Sequence, residues 1–325
     1  MTDDFFAVPE QCAIGRVCDT HGKYYLPSPY TGEADHYDRV STLKAMPEDT
    51  YHIHQWKRRN VAKGLASSPG LLAQAQGSTV PRTLDTICDV AEDLAGANVA
   101  STLGTEVHDY TELADRGRVL DVPEQWHTRM ADYHTALDDH GITVLPDMIE
   151  RAVVSTVYGV AGRFDRVVRL ADGTHAVLDL KTGKSLYKEF AIQAYIYAEA
   201  FNSHGVWDDD AKAWMDPGFK VREDFAIIVH LPARGKGARV LPIDLETGRL
   251  GANLAQQIQG WRQMRVEGWH LPLDVIPFRG EDTMSVIATA SSREDLVAIM
   301  RSLESVNAWS KIYADACRAR LAEIQ

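Results

Sequence analysis

The spacing of apolar residues divides this chain into stretches of different period. From about Asp49 the pattern is helical, TYHIHQWKRRNVAKGLA, and it breaks at SSPG, residues 67–70. A second helical region runs from Val80 to Arg116, with Leu103, Val107, Tyr110 and Ala114 on one face. A third, PEQWHTRMADYHTALDDHG, spaces Trp126, Met130, Tyr133 and Leu137 by four, three and four, and stops at Gly141. The period then changes. ITVLPDMIERAVVSTVYGVAGRFDRVVRL is β-branched and predicts strands separated by turns near Pro146 and Gly159; HAVLDLKT predicts another. SLYKEFAIQAYIYAEAF predicts a helix capped by Ser185, and FAIIVHLP and ARVLPIDLE predict two more strands. The helix LGANLAQQIQGWRQMRVEG follows, then two tail helices opened by Ser291–Ser292 and Asn307. Residues 1–45, rich in Pro, Gly and Tyr, read as an irregular lead-in. Helices, antiparallel strands, a helix, two strands and helices again predict a mixed-sheet α/β core with helices on its faces.

One predicted hairpin, GRFDRVVRLADGTHAVLDLKTGK at 162–184, carries charges where burial is expected. A three-residue loop, Ala171-Asp172-Gly173, pairs Leu170 with Thr174 and sets Val167 opposite Val177 and Asp165 opposite Asp179. In that register Arg163, Asp165, Asp179 and Lys181 share one face, and Phe164, Leu178 and Leu180 the other. Opposed carboxylates repel unless a proton is shared, cations neutralise them or a metal bridges them. A structural ion-pair cluster and a metal site are therefore both open. Asp-x-Lys with an upstream Asp is also the arrangement that metal-assisted phosphodiester hydrolysis requires.

Composition narrows the class. Of 325 residues, 45% are apolar and 25% charged, as in water-soluble globular proteins, and no apolar run is long enough to span a bilayer. MTDDFF lacks the layout of a signal peptide, so a cytoplasmic protein without membrane partners is expected. The net charge of −12 excludes indiscriminate coating of nucleic acid but leaves room for a local basic cleft. Lys57, Arg58, Arg59 and Lys63 form a basic patch beside Trp56, which reads as a solvated helix face or a DNA contact. Four scattered cysteines read as free thiols; Cys12, Cys18 and His21 lack an evident fourth zinc ligand.

GRFDRV, then VLDLKTG, then QAYIY resembles the core of the PD-(D/E)XK nucleases of the RecB and CRISPR-associated exonuclease branch, over roughly residues 100–245. The termini resemble extensions of actinobacteriophage exonucleases. The resemblance implies a restriction-endonuclease-like fold: a 91–280 core between a 1–90 irregular and helical extension and a 281–325 helical one. It implies a Mg²⁺- or Mn²⁺-dependent DNA nuclease, an exonuclease of recombination, repair or replication, in a bacterial host cell if phage-encoded. Asp165, Asp179 and Lys181 are the implied catalytic residues. His108, of GTEVH, Asp165, Asp179 and the carbonyl of Leu180 are the implied metal ligands, and Glu150 is a candidate for a second metal. Gln193 and Tyr197 match the Q-x-x-x-Y helix and, with Arg163 and Lys184, are the expected DNA contacts; Arg166 and Lys188 would extend the positive rim. Phe164 replaces the motif's proline. Only Cys317 lies near the end of the chain, so an iron–sulfur cluster is not expected. DNA is the expected partner, with a recombination protein as a second. The alternatives are a catalytically silent nuclease-fold module that binds DNA or protein, and a hydrolase of RNA.

Overall fold

A seven-stranded mixed sheet forms the centre, with spatial order β10-β9-β6-β5-β4-β7-β8. Its strands are β4 (Thr143–Ser155), β5 (Val160–Arg169), β6 (His175–Lys181), β7 (Val206–Asp208), β8 (Ala213–Met215), β9 (Phe225–His230) and β10 (Arg239–Asp244). β4, β5 and β6 run antiparallel in turn, and β6 pairs with β9 in parallel, so the sheet is mixed as its alternating patterns predict. This computed structural model describes residues 17–18, 22–118, 122–233, 235–264, 283–305 and 311–324.

The described part of the lead-in is not irregular. β1 (Val17–Cys18), β2 (Lys23–Pro27) and β3 (Ala34–Arg39) form an antiparallel ribbon, joined to the main sheet where Asp38 and Arg39 pair in parallel with Val160 and Ala161. Short α1 (Val40–Lys44) follows and buries Val40 and Leu43 in the main core. The contact that orders this segment lies more than a hundred residues away, beyond the reach of local periodicity. The chain divides into two compact units, Met1–Arg262 and Gln263–Gln325. The candidate zinc ligands Cys12 and His21 lie outside the described residues, as does the side chain of Cys18.

Helices α2 (Tyr51–Ser67), α3 (Pro69–Gly77) and α4 (Pro81–Leu94) lead into α5 (Val99–Asp115) and α6 (Glu124–Asp139). On one side of the sheet α5 and α6 bury Val107, Trp126, Tyr133 and Leu137 against Val168, Leu178, Leu180 and Val229. The predicted faces of both helices are the ones that pack. On the other side α7 (Glu189–His204) and α8 (Leu245–Gln263) bury Ile192, Ile196, Phe201 and Ala252 against Phe164, Val167 and Val177. α7 begins at Glu189, four residues past Ser185, and its N-cap position is Lys188. The expected turn at Pro146 is a register shift within continuous β4, between Val144 and Ile149. Proline removes a ladder donor but not the strand, so a bulge absorbs it.

The second unit contains α9 (Thr283–Thr289), α10 (Arg293–Ser305) and α11 (Lys311–Ile324), which bury Ile287, Ala290 and Leu296 together. Ser292 caps α10 through the Asp295 amide, as expected; Asn307 lies outside the described residues. Among the described residues no helix is long and apolar enough to cross a membrane.

Candidate active site

The hairpin has the predicted register. Val167 pairs with Val177 and Arg166 with Leu178, and the Leu170 amide donates to Thr174 O at 2.8 Å across a loop with Gly173 at φ +83°. The β5–β6 ladder ends at Arg166–Leu178, while the start of β5 pairs with β3. Asp165 therefore occupies a fork where β3 and β6 diverge. There its Oδ2 accepts the Leu180 amide at 2.7 Å, in place of a backbone bond. The Leu180 carbonyl leaves the same strand edge as that amide, so it too faces the fork.

The strands also change face here. Phe164 packs edge-on against Tyr197 and Phe201 of α7, whereas Leu178 and Leu180 pack under α5 and α6. The three do not share an apolar face. Phe164 and Val167 both point to the α7 side, and Asp165 and Arg166 both engage α5, so the strict alternation of β5 is broken at the aspartate. Gly162 makes room for this: a Cβ there would stand 2.7 Å from the Tyr197 ring.

Asp179 is only 3% exposed. Lys181 Nζ is in direct ion-pair contact with its Oδ2, and Oδ1 has no hydrogen-bond partner among the described residues. Burial raises its pKa to about 6, the nearby Asp165 charge adds to the rise, and Lys181 opposes it. Burial pulls Lys181 down, but the charges of Asp179 and Asp165 outweigh it, and its pKa ends above the usual value. Lys181 is thus a permanent cation and cannot serve as a general base near neutrality. Its ammonium lies 4.6 Å from the Phe190 ring centroid, and Lys44 of α1 lies 5.2 Å from the same ring. Burial and the Lys181 charge depress the pKa of Lys44. Sequence reasoning missed Lys44 and Phe190; only the β3–β5 pairing carries α1 to this place.

His108 reaches the fork from α5, with Nδ1 3.8 Å from Asp165 Oδ2 and its side chain 32% exposed. Burial lowers its pKa, with Asp165 opposing, which favours the neutral imidazole that a metal requires. Gly104, one turn earlier, lets α5 approach the end of β6: a Cβ there would meet Thr182 Oγ1 at 2.6 Å. Arg166, expected on a positive rim, is buried. It pairs with Asp115, donates to Thr111 Oγ1 at 2.8 Å and lies 5.6 Å from the Tyr133 ring. Thr111 in turn donates to the His108 carbonyl at 2.9 Å. The buried guanidinium thereby fixes the helix that presents the histidine.

Glu150 lies across β4 from Asp165, between the Ile149–Arg166 and Arg151–Phe164 pairs. It is not a solvated strand end. Burial, then the charges of Asp165 and Glu112, raise its pKa to about 7, and its φ of +53° is rare for a residue with a side chain. Arg163 points away from the aspartates, donating to Glu150 O at 2.6 Å and pairing with Asp209 at 2.8 Å. A phosphate would have to displace Asp209 to reach it. Gln193 donates to the Tyr197 hydroxyl at 3.2 Å; Tyr197 itself is buried, and only the half-buried Gln193 is open to a ligand. Lys184 and Lys188 are exposed between β6 and α7. A groove of about 510 Å³, lined by Ser101, Gly104, Thr105, His108, Thr182 and Gly183, opens beside the fork.

Two carboxylates, a neutral imidazole and a peptide carbonyl are the donors suited to Mg²⁺ or Mn²⁺. The buried Asp179 carboxylate fits such an ion, since its Oδ1 lacks a hydrogen-bond partner among the described residues. Among the described residues, however, no three His, Cys, Asp or Glu side chains converge tightly enough to enclose one, so the donors stand open. A scan of protein-family models and a search of curated proteins find no match to this chain.

Proposed function

We propose that this protein is a metal-dependent DNA nuclease, an exonuclease of recombination, repair or replication, with a restriction-endonuclease-like core. The observation that carries the reading is the buried Asp179 carboxylate, paired through Oδ2 with a cationic lysine, left without a partner at Oδ1 among the described residues, and next to a second aspartate at a strand fork. A fold gains nothing from such a group unless a ligand completes it. Asp165, Asp179, His108 and the Leu180 carbonyl would hold Mg²⁺ or Mn²⁺, and Glu150 would join a second ion. Such an ion supplies charge neutralisation at the scissile phosphate and acidity to the attacking water.

The chain's own groups do the rest. Lys181, held protonated by the two aspartates, stabilises negative charge as it develops on the phosphate. Lys44, on the same Phe190 ring, adds a second cation against a phosphate oxygen. Asp165, fixed by the Leu180 amide, and His108, fixed through Thr111, stay in place as substrate binds. The groove beside His108 receives the strand, and the Thr182–Lys188 segment, with Lys184 and Lys188 exposed, offers cations to its backbone.

A second reading, a silent module that binds nucleic acid or protein, is favoured by the open spacing of the donors. Labelled single-stranded DNA, duplex DNA and RNA, incubated with Mg²⁺, Mn²⁺ or EDTA, separate the readings. Metal-dependent cleavage of DNA, abolished in Asp165→Asn, is the expected result. Binding without cleavage under every metal condition would leave the silent module.

A further inference from the structure

Helix α2 is a cationic surface in an acidic protein. Its 17 residues, YHIHQWKRRNVAKGLAS, hold four lysines and arginines and no aspartate or glutamate, while the whole chain carries −12. Lys57, Arg58, Arg59 and Lys63 are all exposed, and none pairs with a carboxylate among the described residues. Several other surface cations of this protein have found acids, as in the Arg116–Glu112, Arg222–Asp224 and Arg249–Glu246 pairs, whereas α2 carries no acid of its own. Solubility does not explain the exception, because local charge of the opposite sign reduces the net value that keeps the chain dispersed.

The helix is firmly mounted. Gly64 lies so close to α4 that a Cβ would stand 1.9 Å from Ala91 O, and Asn60, one turn before it, is buried on the same side. His52, Trp56, Arg59 and Lys63 follow one another at intervals of four, three and four, which places them in one stripe beside that packing face. The stripe is about 16 Å long at 1.5 Å per residue, enough to span about five phosphates of a duplex strand. Trp56 in its middle is 38% exposed, and Tyr51 at the helix start is 61% exposed. Accessible aromatic rings followed by cations on one stripe suit unstacked bases and phosphates together. The site groove runs along the first half of α5, from His108 back to Ser101, and four residues, 95–98, connect α5 to α4, on which α2 is packed.

We infer that the His52–Trp56–Arg59–Lys63 stripe of α2 is a second nucleic-acid contact, which holds a single DNA strand outside the candidate active site. The inference takes the identity of the strand from the nuclease reading, but its test reads binding alone. Fluorescence anisotropy in EDTA, with a labelled single-stranded oligonucleotide and a salt series, compares the wild type with Arg59→Gln/Lys63→Gln and with Trp56→Ala. Glutamine keeps helix propensity, and matched melting curves verify the fold. Each lost phosphate contact lowers the slope of log K against log salt by about 0.7, so the double variant should lose about 1.4. At 0.1 M salt that is about a 25-fold weaker affinity, taking the electrostatic contribution to vanish near 1 M. Trp56→Ala should weaken single-strand binding by roughly tenfold with the slope intact, because stacking is not ionic. Unchanged affinity and slope in both variants would overturn the inference and leave a solvated helix. So would variants that lose binding to anionic phospholipid vesicles while keeping DNA affinity, since the partner would then be a membrane surface. A wild type that cleaves nothing, yet shows these binding losses, would retire the nuclease reading and retain this one.

Discussion

Asp179→Asn removes a charge that this fold holds at a cost. The carboxyl titrates at about 6 in the native protein against an ordinary 3.8, chiefly because it is buried. Since the native value is the higher one, the folded state binds the extra proton, and the stabilisation is whole below pH 3.8 and lost as pH rises to about 6. At 1.36 kcal/mol per pH unit, the ionised form costs the fold about 3 kcal/mol above pH 6. That figure already contains the attraction of Lys181, which remains protonated in the variant. Asparagine is the permanent stand-in for the neutral acid, and its own unpartnered amide returns about 1 kcal/mol. Asp179→Asn should therefore be more stable by about 2 kcal/mol at pH 7.5, or about 5 °C in Tm for a unit of this size. Below pH 4 the variant should instead be the less stable of the two by about 1 kcal/mol, the cost of its amide. Differential scanning calorimetry from pH 3.5 to 8 without divalent ions reads both limits. Mg²⁺ or Mn²⁺ at pH 7.5 should then raise the wild-type Tm and leave the variant nearly unmoved, as binding to the native state alone requires. A variant less stable than wild type at pH 7.5, or a difference that ignores pH, would refute the reasoning. Asp179 and Lys181 would then be a structural ion pair worth more than the burial of its charge.

Lys181→Ala should lower turnover about a hundredfold, on the scale of lost electrostatic stabilisers. DNA affinity should barely change and metal affinity should hold or rise; single-turnover kinetics with parallel anisotropy tests this, and normal cleavage with weak binding would make the lysine a phosphate anchor. His108→Ala should weaken both Mn²⁺ binding by calorimetric titration and cleavage; unchanged metal affinity would assign the histidine to packing. Gly104→Ala drives a methyl group to within 2.6 Å of Thr182 Oγ1, so the Thr182 side chain must turn or α5 must move from the end of β6. Its expected cost is about 1–3 kcal/mol with a loss of cleavage, and Thr182→Ala in the same chain, which removes the clashing Oγ1, should restore part of both.

Local pattern was enough for the parts whose contacts are close in sequence. The 171–173 loop dictates the register of its own hairpin, so Val167 falls opposite Val177 as the turn chemistry requires. The stripes Trp126–Met130–Tyr133–Leu137 and Leu103–Val107 face the core because a helix must bury its apolar side. The nearness of Asp165, Asp179 and Lys181 follows from that register, and the family resemblance singled out His108, which lies beside Asp165. What remained hidden depends on pairings distant in sequence. A two-residue parallel bridge between β3 and β5 turns an apparent lead-in into part of the sheet and brings Lys44 to the Phe190 ring. The fork between β3 and β6 then breaks the alternation of β5, turning Phe164 towards α7 and Asp165 towards His108. Arg166, indistinguishable in sequence from a surface arginine, is buried because Asp115, Thr111 and Tyr133 converge on it from two helices. Period and turn chemistry determine which side of an element is apolar; only the packing of distant elements decides which charges lose their water, and hence which of them are raised, depressed or left without a partner.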